Sequence, residues 1–290
     1  MTLMAFTLIV ISAVMHALWN LLVKKSREKT VFIWWMFVAS GTLFTLTLIL
    51  LRVPITLPDG VTTLSIAGGS VCFVLYHLFN GRAYREGDLS LIYPLSQSSM
   101  IYVPIWGVLI LRERLSLTGV CGIFLVILGA MSVQMRRLSL SELLRPFRNL
   151  NLPPVRYALS AGFVYSFGSL TEKIGVSRYS PLLFTFFIVI VMWSLMTANL
   201  LRGKYRPLIL EEARRNWRLI LLSGPVMMSS FLSFRYGLSM APMSYAVPVR
   251  QVSILIGVLI GILFLGESFG RARITGAAMI VAGAALIKLG

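Results

Sequence analysis

Long apolar runs alternate with short polar interruptions along the whole chain. A hydrocarbon core about 30 Å thick takes roughly 20 apolar residues of helix to cross. Ten runs reach that length, at residues 3–23, 31–51, 61–82, 89–111, 116–135, 155–173, 181–201, 217–237, 243–265 and 271–288. They predict an all-α integral membrane protein with ten transmembrane helices. Most connections are short, and several carry helix-ending residues, as at Pro54, Pro58-Asp59-Gly60 and Pro153-Pro154. Only 136–154 and 202–216 are longer than turns, and the second is basic enough to lie on lipid headgroups. The first run ends in Lys24-Lys25-Ser26-Arg27-Glu28-Lys29, with no charged segment before it and no small-residue cleavage site after it. It is expected to stay as a first span and not to be removed as a signal peptide. No appended soluble domain is expected.

The chain also repeats itself. Sliding it by 154 residues superposes Ser90 on Ser244, Pro94 on Pro248, Gln97 on Gln251 and Ser99 on Ser253. The register continues with Gly107 on Gly261, Leu109 on Leu263, Leu111 on Leu265 and Glu113 on Glu267. It then pairs Gly122 with Gly276, Gly129 with Gly283 and Ala130 with Ala284. A shift of 148 weakly aligns Ser12-Ala13, Leu22 and Lys25 with Ser160-Ala161, Leu170 and Lys173. Apolar stretches match each other by chance; Pro, Gln, Glu and two Gly in one register do not. The reading is a first five-helix repeat over 1–138, a basic connecting loop over 139–154 and a second repeat over 155–290. Five spans is an odd number, so the second repeat enters the bilayer inverted. Inverted repeats are an architecture of secondary transporters, with the site near the midplane between the halves.

Composition removes the alternatives to a membrane fold. The chain is 57% hydrophobic and 13% charged, with mean hydropathy +0.84. Soluble domains carry about 45–50% apolar and about 25% charged residues, and disordered chains are poor in apolar ones. The net charge of +17 would suggest nucleic acid in a soluble protein. Here Lys and Arg cluster between the apolar runs and act as topology signals, so no nucleic-acid partner is expected. With Arg250 set aside inside a span, 19 of them fall in the odd-numbered connections and 7 in the termini and even-numbered ones. That distribution favours both termini outside the cytoplasm. Cys72 and Cys121 lie in apolar segments and read as small buried hydrophobes, not as a disulfide.

Polar residues at bilayer depth are costly and mark candidate chemistry. His16, Trp19 and Asn20 share one face of the first helix by their spacing. Tyr76, His77, Asn80 and Tyr84 repeat the device on the third. Either the two faces line one aromatic-walled cavity, or each group bonds a neighbouring helix. Two histidines without a carboxylate or thiolate beside them do not make a metal site. Pro94 and Pro248 each remove a helical hydrogen bond and free a carbonyl. They mark kinks or hinges, with Gln97 and Gln251 three residues on as lining groups.

Arg250 has no carboxylate within four residues. If it pairs with Glu172 it is structural; if it does not, its planar fork is a clamp for an anionic substrate. Glu113 and Glu267 close the fourth and ninth runs. They read as caps on the helix that follows, as partners of Arg114 and Arg271, or as gates. The glycine pairs Gly122/Gly129 and Gly276/Gly283 each share a helix face and signal close packing, within the fold or between protomers.

Other chemistries are excluded. Residues 261–268 have P-loop glycine spacing but Glu267 where Lys is required, so no nucleotide-driven pump is encoded. Neither H-E-x-x-H nor G-x-S-x-G occurs, and the only aspartates, Asp59 and Asp88, lie in loops. The chain does not read as an enzyme, and no cofactor is implied.

Tyr93-Pro94-Leu95, the segment Gly107 to Leu111-Arg112-Glu113-Arg114 and its counterpart Gly261 to Leu265-Gly266-Glu267-Ser268 resemble the drug/metabolite transporter superfamily, EamA type. His16-Ala17-Leu18-Trp19-Asn20 and the stretch Ala83 to Ser90 resemble one of its bacterial branches. The resemblance covers essentially the whole chain. It implies ten helices in two inverted halves and movement of small metabolites, commonly efflux, across the inner membrane. Small multidrug-resistance relatives carry a proton-coupling Glu in the first helix, and this first helix has no carboxylate. Family members often have cytoplasmic termini, against the charge count here.

The expected function is alternating-access transport of a small polar metabolite, an amino acid or another carboxylate-bearing solute, by a multi-pass inner-membrane protein. Aromatic walls and one buried Arg without a buried carboxylate suit a zwitterion or organic anion better than a lipophilic cation. The alternative is a lipid-linked headgroup translocase or its accessory subunit, which needs a cavity open to lipid and a basic rim. The expected partners are the substrate and the bilayer; the sequence leaves oligomeric state open.

Overall fold

The computed structural model describes residues 1–86, 92, 95–133, 135, 139, 141–142, 150–201, 205–265 and 270–290, without the side chains of 199 and 260–265. Pro94, Glu267 and half of the connecting loop 139–154 lie outside the described residues. Every regular element among the described residues is a helix. In chain order they are α1 (Leu3–Lys25), α2 (Lys29–Leu50), α3 (Gly60–Glu86), α4 (Ser99–Leu109), α5 (Leu117–Ser132), α6 (Pro153–Val176), α7 (Pro181–Leu201), α8 (Leu208–Met240), α9 (Met243–Arg250), α10 (Val252–Leu265) and α11 (Arg271–Leu289). Six are long and apolar enough to cross a membrane: α1, α2, α3, α7 over Pro181–Ala198, α8 and α11. Ser99–Leu109 (α4) and Leu117–Ser132 (α5) are shorter apolar helices, and the apolar stretch Met243–Leu259 spans α9 and the start of α10.

Local chemistry sets the helix ends. Thr2 accepts from the Ala5 N–H (3.3 Å), Asp59 from Thr62 (2.8 Å) and Ser116 from Gly119 (3.0 Å). Each hydroxyl or carboxylate satisfies a donor that the first turn leaves free. Those Thr62 bonds hold the exposed Asp59 carboxyl below its ordinary pKa. Lys24 and Lys25 close α1, where the helix dipole favours cations.

Two of the expected spans are broken. The run 243–265 divides at Gln251 into α9 and α10, and α4 begins only at Ser99. Pro248 has no N–H, and the ladder shifts to i to i+3 bonds: Gln251 N–H to the Pro248 carbonyl (2.9 Å) and Ile254 N–H to that of Gln251 (2.8 Å). The same bonds recur at Gln97, with Ser98 donating to Leu95 (3.0 Å) and Met100 to Gln97 (3.1 Å). The basic stretch before the eighth span has regular structure of its own. From Leu208 it is helix, continuous with α8 across a kink at Asn216 (φ −118°, ψ 23°). It is fastened to the α1–α2 corner by Arg27–Glu211 (2.6 Å), by the Glu28 N–H to Glu212 (3.2 Å) and by Trp35 to the Ile209 carbonyl (3.0 Å).

α1 packs along α8, and α3 along α6. Ser12 donates to the Ser230 carbonyl (2.7 Å) and Ser230 donates back to that of Ser12 (3.3 Å), a reciprocal bond between α1 and α8. The glycines expected to mark close packing do so within the fold. A β-carbon at Gly122 would lie 2.6 Å from the Gly283 carbonyl oxygen, and one at Gly129 2.6 Å from that of Gly276. The contacts cross over, first glycine to second, so α5 and α11 run antiparallel with backbones touching. Gly129→Val is expected to cut folded, monodisperse yield severalfold. Overpacking costs about 1–3 kcal/mol, and here the obstacle is backbone. Size-exclusion profiles against Gly257→Ala, where a β-carbon meets nothing, provide the comparison.

Candidate functional site

α6 is the helix missing from the long apolar set, and its sequence explains why. Tyr165, Ser169 and Glu172 fall on one face by their spacing. Glu172 and Ser169 are buried. Glu172 forms an ion pair with Arg235 of α8, and both residues are 3% exposed. The Arg235 guanidinium also lies over the rings of Phe231 (5.1 Å) and Phe184 (5.9 Å).

Arg250, at the end of α9, is held differently. Its guanidinium stacks on the Phe234 ring at 4.2 Å, and the Tyr165 side chain lies within electrostatic range of it. Among the described residues it has no carboxylate partner, and its Nε finds no acceptor. The expected alternative of an Arg250–Glu172 pair is therefore corrected: Glu172 belongs to Arg235. In the sequence Arg235 sits near the end of the predicted span 217–237 and reads as one of the connection charges. In fact α8 runs on to Met240, which leaves Arg235 more than a turn inside.

Around Arg250 the structure gathers much of the expected set. His16 lies within electrostatic range of both Arg250 and His77. His16 meets Trp19 edge to face (4.9 Å), and Trp19 meets Phe231 (5.7 Å). From α3, Tyr76 contacts His77 (5.1 Å) and Tyr165 (5.0 Å). His77 remains exposed although it stands in this aromatic company. Buried polar atoms without a protein partner concentrate here: His16 Nδ1, Trp19 Nε1, Arg235 Nε and Arg250 Nε. Such groups are costly at bilayer depth unless something polar meets them.

Other expected residues fall elsewhere. Asn80 is buried on α3 with its Oδ1 unpartnered. Tyr84 is engaged with Ser96 (3.0 Å), about 10 Å further along α3 from His77. Asn20 is exposed on α1. Gln97 and Gln251 are half-buried at the two helix breaks, and Pro248 is buried within α9.

Glu113 does not cap the helix after it or pair with Arg114, as expected. Arg112 takes a left-handed backbone (φ 54°), and Glu113 turns back. Its carboxylate accepts from the Met243 N–H (2.7 Å), the Ser244 N–H (3.1 Å) and the Ser244 hydroxyl (2.5 Å). It therefore caps α9, the helix that ends in Arg250, as an anion at a helix N-terminus.

Three likenesses to known proteins accompany this geometry. The model of the EamA-like transporter family matches residues 3–135 and again 153–289. The "Uncharacterized transporter in cobO 3'region" of Sinorhizobium sp is 29% identical over 135 residues, which is 45% of this chain and 92% of that one. A solved structure described only as a crystal structure of a protein superposes with a TM-score of 0.72, covering 99% of this chain and 96% of that chain at 16% identity. At that identity the likeness shows the fold alone.

Proposed function

The chain belongs to the EamA-like transporter family, and on that premise we propose that it is a secondary transporter of a small carboxylate-bearing solute, an amino acid or organic anion, which it exports across the inner membrane by alternating access. Arg250 carries the reading. Among the described residues the cluster holds two arginines and one carboxylate, and that carboxylate is taken by Arg235. The site is left with an excess positive charge and a planar fork backed by Phe234. A carboxylate meets that fork bidentately, and the aromatic rings of Trp19, Tyr76, Tyr165 and Phe231 suit the body of a small amphipathic solute.

The transport cycle rests on ten helices in two inverted five-helix repeats, 1–138 and 155–290 joined by 139–154. The crosswise glycine contacts of α5 and α11 support an inverted relation, as does the kinship of the α1–α8 and α3–α6 packings. The matching breaks at Gln97 and Gln251 suit the discontinuous helices that such transporters use near the midplane. The burial of Arg235 removes one basic residue from the less basic side, which strengthens the charge asymmetry and favours termini outside the cytoplasm.

Counterflow in proteoliposomes tests the proposal. Preloading with a carboxylate-bearing solute is expected to drive saturable uptake of the labelled solute, whereas lipophilic cations drive none. Exchange of cations alone would overturn the substrate reading. Silence towards every small solute, together with scrambling of a lipid-linked anionic headgroup, would establish the translocase alternative.

A further inference from the structure

The α8–α9 corner is gripped from two sides. Glu113 caps the start of α9 through three hydrogen bonds. Lys173 of α6 reaches across to the end of α8, its Nζ donating to the carbonyls of Leu238 (2.8 Å) and Ala241 (2.9 Å). Each charge has the sign that its helix end attracts: an anion at the N-terminus of α9 and a cation at the C-terminus of α8. The two side chains come from the two stretches that the family model matches, Glu113 from 3–135 and Lys173 from 153–289.

The surroundings are shaped for this grip. A β-carbon at Gly107 would lie 2.5 Å from Glu113 Oε2 and also strike the Ser244 hydroxyl, so only glycine leaves the carboxylate its place. The left-handed Arg112 aims Glu113 inward, and the Glu113 N–H returns to the Gly107 carbonyl (2.9 Å). The Tyr245 hydroxyl accepts from the Ser116 N–H (2.9 Å) and ties the first turn of α9 to the start of α5. The chain ends gather on this face too. Gly290 lies against Thr118 and the Gly119 N–H, and Lys288 bonds the Met1 carbonyl (3.3 Å).

We infer that Glu113 and Lys173 form a clasp that closes the face carrying the termini, and that this clasp must release the α8–α9 corner for the Arg250 site to open there. The corner carries Phe234 and Arg235 on one arm and Arg250 on the other, so the clasp also fixes the spacing of the two arginines. The inference rests on the transporter reading above, but its test uses no substrate.

A reporter cysteine at Ala246, fully buried and less than a turn inside the clasp, is introduced into a chain with Cys72→Ser and Cys121→Ser. Labelling by a membrane-impermeant maleimide is followed in sealed vesicles with the termini outward, as fixed by protease removal of an N-terminal tag. Glu113→Ala is expected to raise the labelling rate at least tenfold, and Lys173→Met to raise it in the same direction. Glu113→Gln and Ser244→Ala weaken the clasp more gently and cover the case in which Glu113→Ala does not fold. An increase below threefold in every variant that folds overturns the clasp; threefold or more in any of them supports it. Faster labelling together with a failed carboxylate counterflow would leave the clasp standing and remove only the substrate reading. The converse pair of results would remove only the clasp.

Discussion

Arg250→Ala is expected to abolish carboxylate counterflow, by at least a hundredfold, while folded yield and the elution profile stay near those of the parent. The size follows from the site's charge. With Glu172 paired to Arg235, Arg250 is left without a protein counter-ion among the described residues. Losing one partner of a buried, hydrogen-bonded charge pair costs about 2–5 kcal/mol, and each 1.4 kcal/mol is about tenfold in binding. Folding should tolerate the change because the guanidinium rests on Phe234 and is anchored by no carboxylate. Arg250→Lys distinguishes charge from shape: it keeps the cation but loses the fork and the flat stack. It is expected to retain weak transport with a raised KM. Counterflow by Arg250→Ala at the parental rate would take Arg250 out of the site.

Glu172→Ala is expected to have the largest effect on stability, lowering it by about 3–5 kcal/mol because Arg235 is left as an unpaired buried charge. Both partners are 3% exposed, so solvent offers little screening. The phenyl rings of Phe231 and Phe184 attract the guanidinium but do not neutralise it. A double change, Glu172→Leu with Arg235→Met, removes both charges and should recover most of the loss, since apolar replacement of a buried pair is often neutral. Thermal unfolding in detergent, followed by size exclusion, reads the series. A single Glu172→Ala that melts with the parent would show that the pair contributes nothing to the fold.

How far the sequence carried these conclusions differs by level. The helices were legible because bilayer thickness forces their length and composition, and α1, α2, α3 and α11 lie where the apolar runs placed them. The breaks at Gln97 and Gln251 were only half legible. Pro248 announces a missing donor, but a proline can bend a helix without dividing it.

The candidate cluster was legible only where spacing alone decides which residues share a helix face. His16 and Trp19 share a face of α1, and Tyr76 with His77 projects from α3. Their convergence on Arg250 depends on tertiary packing, which no local pattern encodes. The pairing of Glu172 went to Arg235 and not to Arg250, because α8 extends past the predicted boundary and carries Arg235 inward. Boundaries are the weakest part of any pattern reading, and here one boundary decided an ion pair. Tyr165 left a usable signal that was passed over: with Ser169 and Glu172 it forms a polar face on a helix otherwise read as a plain span. Glu113 could not have been placed from sequence, since its partners lie 130 residues away on α9.

Whether Arg250 recognises a carboxylate can be read from equilibrium binding. Purified protein is titrated with a small amino acid or organic acid and, separately, with the primary amide of the same molecule, which keeps the shape but not the charge. The carboxylate is expected to bind at least tenfold more tightly, and this preference is expected to disappear in Arg250→Ala. Equal affinity for acid and amide in the unmodified protein, or a preference that survives Arg250→Ala, would contradict it.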